Sequence, residues 1–205
     1  MSTGSNAPHG LPAVVRVDPG TDREPGSPVS VLLVSGSTRP DSTNSAALRT
    51  VAALAPAGVR TVLYDGLADL PAFNPDDDRE GVRLPPAVAR LRRQIEAADG
   101  VLFSTPEYAG TLPGSFKNLL DWTVGGGQLD GKPVASLQVA APGRGGGAQA
   151  TLVTVLDYVN AARHDAPPLR VYVPRDSVGP DGLVGDPDLR AALTRALADF
   201  LARLA

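Results

Sequence analysis

Residues 29–55 read VSVLLVSGSTRPDSTNSAALRTVAALA. The run 29–34 is short, apolar and rich in β-branched residues, the pattern of a buried strand. From Ser45 onward Leu48, Val51, Leu54 and Ala55 recur at helical spacing, so a helix is expected over 45–55. Between them lies GSTRPDSTN, residues 36–44, a loop that leaves a strand and opens a helix. The first N–H groups of a helix have no partner within it, and the helix dipole adds about half a positive charge there. Ser37, Thr38, Ser42 and Thr43 add hydroxyl donors, and Arg39 adds a fixed cationic fork. This loop reads as a cradle for one phosphate group.

The same alternation continues to the end of the chain. Strands are expected at 59–64, 100–104, 133–140 and 169–173. Helices are expected at 85–98, 114–124, 149–162 and 187–205. Pro85 or Pro86 suits the first turn of the second helix, whose Val88, Leu91, Ile95 and Ala98 share a face. Residues 65–84, with Pro71, Pro75 and the run Asp76–Asp78, read as a loop with a solvated acidic segment. Five short apolar strands alternating with helices predict a five-stranded parallel sheet covered by helices on both faces, a three-layer α/β sandwich. The order 2-1-3-4-5 suits that count and puts a ligand where the loops after strands one and three meet. Residues 1–28 are rich in Pro, Gly, Ser and Asp and read as a flexible tail, with one domain over 29–205.

Composition narrows the function. Hydrophobic residues make up 42% of the 205, enough for one sizeable core, and the net charge of −3 gives no basic footprint for nucleic acid. No apolar run approaches the roughly 18 residues of a membrane span. The start lacks the charged-then-apolar layout of a signal peptide, so a cytoplasmic protein is expected. With no Cys, thiolate chemistry and Cys-based metal sites are out. The only histidines are His9 and His164, and no G-x-S-x-G elbow accompanies them, which argues against a serine hydrolase.

Two further loops carry chemistry. Strand three runs into Thr105-Pro106-Glu107-Tyr108-Ala109-Gly110-Thr111-Leu112-Pro113-Gly114, which combines an aromatic, a glycine and two prolines. Such a loop can offer N–H groups to the edge of a flat heterocycle and lay Tyr108 beside it. Trp122, on the helix that follows, reads as a core or interface residue rather than a ligand contact, and Tyr108 reads equally as either of the two. Glu107 has no evident acid role beyond capping or orienting the loop, and Asp121 suits an ion pair with Lys117. After strand four, Gly143-x-Gly145-x-x-Ala148 formally matches the dinucleotide fingerprint. In a glycine run that spacing is nearly free, and Asp165 follows a helix rather than a second strand. The better reading is a backbone that passes close to a flat ligand.

GSTRPDSTN resembles the GSxRxxSxN signature of the NADPH-dependent FMN reductase family, and PEYAGTLPGSFKNLLDW resembles that family's PEYxxxxPGxxKNxLDW. Both match at every fixed position, and the segment 70–74 looks like the family's loop after strand two. The resemblance implies a flavodoxin-like fold and an FMN-dependent NAD(P)H oxidoreductase that reduces a flavin, quinone, azo or similar small-molecule acceptor. Ser37, Arg39, Ser42, Thr43 and Asn44 would then hold the phosphate and the start of the ribityl chain. Pro106, Glu107, Tyr108, Ala109 and Gly110 would frame the isoalloxazine, and Gly143, Gly145 and Gly146 would approach from the third side. No residue is implied as catalytic. The family also implies NADPH or NADH as co-substrate and a homodimer or homotetramer, with the helix 113–122 near the subunit boundary. The other class kept open is an FMN-binding electron carrier of the flavodoxin type, without its own NAD(P)H reductase activity.

Overall fold

The computed structural model describes residues 27–164 and 168–204. The expected tail falls almost wholly on residues outside that range, as does Asp165. The elements are β1 (Val29–Ser35), α1 (Thr43–Ala53), β2 (Val59–Tyr64), α2 (Pro86–Glu96), β3 (Gly100–Ser104), α3 (Gly114–Asp121), β4 (Pro133–Gln138), α4 (Gly146–Tyr158), β5 (Ala162–Arg163), β6 (Leu169–Arg170) and α5 (Pro187–Leu201). The sheet is parallel in the order β2-β1-β3-β4-β5, with β6 also paired to β4. This is the flavodoxin-like order.

Strand side chains alternate between two cores. Leu32, Val34, Val101 and Phe103 pack under α2, α3 and α4 with Leu91, Ile95, Phe116, Leu119, Trp122 and Leu152. Val31, Leu33, Leu102 and Leu137 pack under α1 and α5 with Leu48, Val51, Leu193, Leu197 and Phe200. Both faces of the sheet are therefore covered, which is why β1 and β3 read as continuous apolar runs.

Four expectations are corrected. The fifth strand is not one run at 169–173. Ala162 and His164 donate to Lys132 and Val134 carbonyls low on β4, and Val171 and Val173 donate to Gln138 and Val139 further up. The sequence Pro167-Pro168 lies between these pieces, and proline has no N–H to give a ladder. The fourth helix starts at Gly146 and ends at Tyr158, so Ala162 belongs to the sheet instead. The first helix starts at Thr43, two residues before Ser45. Finally, the acidic run 76–78 is not wholly solvated. The Asp78 side chain is 6% exposed and pairs with Arg92, 10% exposed, while Arg92 Nε donates to Trp122 O at 2.8 Å. This pair ties the long loop after β2 to α2 and to the end of α3.

Removing one partner of a buried pair leaves the other charge uncompensated. Asp78→Ala is expected to lower stability by about 3 kcal/mol, seen as a lower urea midpoint of Trp122 fluorescence. An unchanged midpoint would contradict the burial of this pair.

Candidate functional site

The site begins where three strands end at one level. Ser35 of β1 is in register with Ser104 of β3. Phe103 is in register with Ser136 of β4, which brings Leu137 beside Ser104. The Ser104 hydroxyl is shared between the Asn44 side-chain carbonyl at 2.9 Å and Leu137 O at 2.8 Å. Gly36 N–H donates to Ser104 O at 2.8 Å. A Cβ on Gly36 would stand 2.3 Å from Thr105 Oγ1, so only glycine lets the first and second loops meet here.

The first loop keeps its helix end open. Among the described residues no side chain caps α1, although Ser42 sits at the N-cap, and the first turn holds no acidic residue. Ser37, Ser42 and Asn44 are buried. Thr43 is half-buried and Arg39 exposed, with Arg39 Nη2 donating to Asp41 O at 2.9 Å. Beside the loop lies a cleft of about 280 Å³, lined on one side by Ser37, Thr38, Arg39, Ser45 and Arg49. The rest of the wall comes from Leu63 and Tyr64 at the end of β2 and from Asp65, Leu67 and Ala68 just after it. Arg49 braces the loop by donating Nη2 to Pro40 O at 3.0 Å. Tyr64 is buried, and burial pushes its phenol up to about 12 against the pull of Arg90. It stays neutral near pH 7, so the charge on the cleft's walls comes from Arg39 and Arg49 and from Asp65, which Arg90 pairs at 2.9 Å, and the positive balance suits an anion.

The second loop ends in a tight turn. Tyr108 and Thr111 exchange both backbone hydrogen bonds, 3.0 and 3.1 Å. Ala109 and Gly110 between them have φ of 51° and 77°, the left-handed pair of a type I′ turn. Tyr108 is 54% exposed at this tip. The third loop turns left-handed at Gly143 and Gly145. Gly145 is the N-cap of α4, its carbonyl accepting from Gln138 Nε2 at 2.8 Å, and Gly146 is exposed. Second and third loops touch where a Cβ on Gly147 would fall 1.9 Å from Gly110 O. Glu107 Oε2 accepts from Gly147 N–H at 2.7 Å and Ala148 N–H at 3.0 Å.

Glycine next to the cradle and loop junctions thus links the three loops into one rim. Sequence reading placed Ser37 and Arg39 at the cleft but missed Arg49, whose only signal is its place one turn after Ser45. It expected the glycines over 143–147 beside the ring, but not that Gly147 meets Gly110 and Glu107 of the second loop. Trp122 is a core residue, its indole N–H donating to Pro71 O at 2.8 Å, and Lys117 pairs with Asp121. Ala109→Gly relieves a left-handed alanine and is expected to stabilise the protein by about 0.5–1 kcal/mol. Gly147→Ala must push the loops apart and is expected to cost about 1–3 kcal/mol. Thermal unfolding of both variants checks the turn and the junction, and equal midpoints for the two would refute these assignments.

Comparison with known proteins agrees with this geometry. The NADPH-dependent FMN reductase family profile matches residues 29–173. An NAD(P)H-dependent FMN reductase of Pseudomonas aeruginosa is 43% identical over 124 residues, which cover 60% of this chain and 65% of that protein. The quinone reductase of Escherichia coli K12 is 34% identical over 177 residues, 84% of this chain and 93% of that protein. Among solved structures, a flavoenzyme NAD(P)H:(acceptor) oxidoreductase from Paracoccus denitrificans superposes with a TM-score of 0.72 at 30% identity, covering 86% of this chain and 97% of that one. The two signature loops, the strand order and these matches together establish that the chain belongs to the NADPH-dependent FMN reductase family.

Proposed function

We propose that this protein is an FMN-dependent NAD(P)H oxidoreductase that passes electrons to a small-molecule acceptor such as a quinone, flavin or azo compound. The observation that carries the reading is the uncapped α1 terminus beside Ser37, Arg39 and Arg49, on the same rim as the Tyr108 turn. That donor set fits a phosphate dianion, and the rim leads from it to a turn suited to a flat ring. Bound FMN supplies the hydride chemistry. The chain's own residues bind and orient. Ser37, Arg39, Ser42, Thr43 and Asn44 would hold the phosphate and the start of the ribityl chain, since charge-assisted bonds to phosphate are the strong ones. Pro106 to Gly110 would frame the ring, and Gly143, Gly145 and Gly146 would flank it. No side chain is assigned an acid–base role.

The relatives are named as reductases, which favours this reading over a flavodoxin-type carrier. A cytoplasmic location goes with a reaction that consumes NAD(P)H. The same reading includes a homodimer or homotetramer, with its boundary moved from the helix expected at 113–122. Phe116, Leu119, Leu120 and Trp122 of that stretch are all inside the core. α4, GGAQATLVTVLDY, has Asp157 as its one charged residue, and Tyr158 at its end is 88% exposed beside Val124 at 52%. A helix so short of charge on its outer face suits an association surface. Tyr158→Asp is expected to shift the protein toward monomer in light scattering, and an unchanged mass would place the boundary elsewhere.

The functional test is consumption of NADPH by the FMN-loaded protein with a panel of quinones, flavins and azo compounds. Turnover that requires FMN is expected, and FMN binding without any NADPH oxidation would return the protein to the carrier class. Arg39→Ala is expected to weaken FMN about 10- to 100-fold and riboflavin less than about threefold, because only FMN carries the phosphate. Equal losses for both flavins would refute the phosphate assignment.

A further inference from the structure

We infer that Glu107 is a positioning residue that locks the loop after β3 to the start of α4, so that the second and third loops hold a flavin ring as one body. The inference rests on the FMN reading above. Its ground is where the carboxylate goes. Glu107 lies forty positions before Gly147, yet its Oε2 accepts from both Gly147 and Ala148 N–H groups in the first turn of α4. A carboxylate at a helix N-terminus is stabilised by the dipole and satisfies donors that would otherwise lack a partner. The charge is thereby directed into α4.

Two further ties join the same elements. Gly110 O lies against Gly147 so closely that no Cβ fits between them. The Thr111 and Thr151 hydroxyls are 2.8 Å apart. The segment 107–111, which carries the turn, is therefore held on α4 at three points. Within that turn Tyr108 and Thr111 satisfy each other, which leaves the Ala109 and Gly110 N–H groups at the tip. The clamp sets where those tip donors stand relative to Gly143 and Gly145. Glu107 acts through the backbone it positions.

The test uses Glu107→Ala and Glu107→Gln in the full chain, beside Arg39→Ala. A glutamine side-chain oxygen can still accept both N–H groups. Glu107→Gln is therefore expected to keep FMN and riboflavin affinity within about threefold and to keep slow hydrogen exchange at Gly147 and Ala148. Glu107→Ala is expected to lose about tenfold or more for FMN and riboflavin alike. It should also speed exchange of those two amides, blunt the fine structure of the bound flavin's visible spectrum and lower the Tm by about 2–4 °C.

Equal losses in Glu107→Gln and Glu107→Ala would overturn the inference, since the charge itself would then act on the flavin. Faster exchange in Glu107→Ala with unchanged flavin affinity and spectrum would also overturn it, leaving only a helix cap. If Glu107→Ala does not fold, Glu107→Asp carries the test. Its carboxylate falls one methylene short, and undiminished affinity for both flavins would again overturn the clamp. If the wild-type chain binds no flavin, the FMN reading fails, while the exchange measurement in the flavin-free protein still reports on the clamp.

Discussion

The site depends on β1, β3 and β4 ending at one level, joined through the Ser104 hydroxyl. That hydroxyl touches Asn44 on the first helix and Leu137 on the fourth strand. Gly36 closes the same junction from the backbone side. A parallel sheet with both faces buried has little freedom to slip, because a one-residue shift would send every side chain to the wrong core. The three loops that leave these strands are therefore delivered to one rim by packing far below them. The chain changes direction there, with α1 on one face of the sheet and α3 on the other, and ligands bind at such switch points.

Along the rim, what matters is which helix ends are already satisfied. α5 is capped by Asp186, which accepts from Asp188 and Leu189 N–H groups. α4 is capped from a distance by Glu107. α1 has no side-chain cap and no acidic residue in its first turn. An acid there would compete with an anionic ligand, while serine and threonine can donate to one. Arg39 and Arg49 add positive charge on the same side. The third loop shows the opposite arrangement, since its helix end is already taken and its glycines serve close approach.

Much of this was legible in the residues. The apolar runs at 29–34 and 100–104 marked both strands as buried on two faces, and the strand count suggested the order that sets them side by side. The loop 36–44 read as an anion cradle from its hydroxyls and Arg39, and in the fold it opens onto a helix start that Ser42 leaves uncapped. What could not be read was non-local. The first turn of α4 is capped by a carboxylate from another loop, and a glycine run carries no helical signal of its own. The fifth strand came as two pieces paired at different heights on β4, and the Pro167-Pro168 between them in sequence has no N–H for a ladder. Asp78 looked like one of three surface acids, and only the fold brings Arg92 to it. Arg49 lies outside both signature loops, and only the path of the backbone at Pro40 gives it a role.

The central claim is that one rim holds FMN with its phosphate at the start of α1 and its ring at the Tyr108 turn. Amide chemical-shift mapping with two ligands tests it most directly. FMN is predicted to move the amides of residues 37–45 together with those of 106–111 and 143–147. Riboflavin, which keeps the ribityl chain but lacks the phosphate, is predicted to move the second and third groups and to move 37–45 clearly less than FMN does. Equal shifts at 37–45 with both ligands, or FMN shifts confined to another part of the chain, would contradict the account.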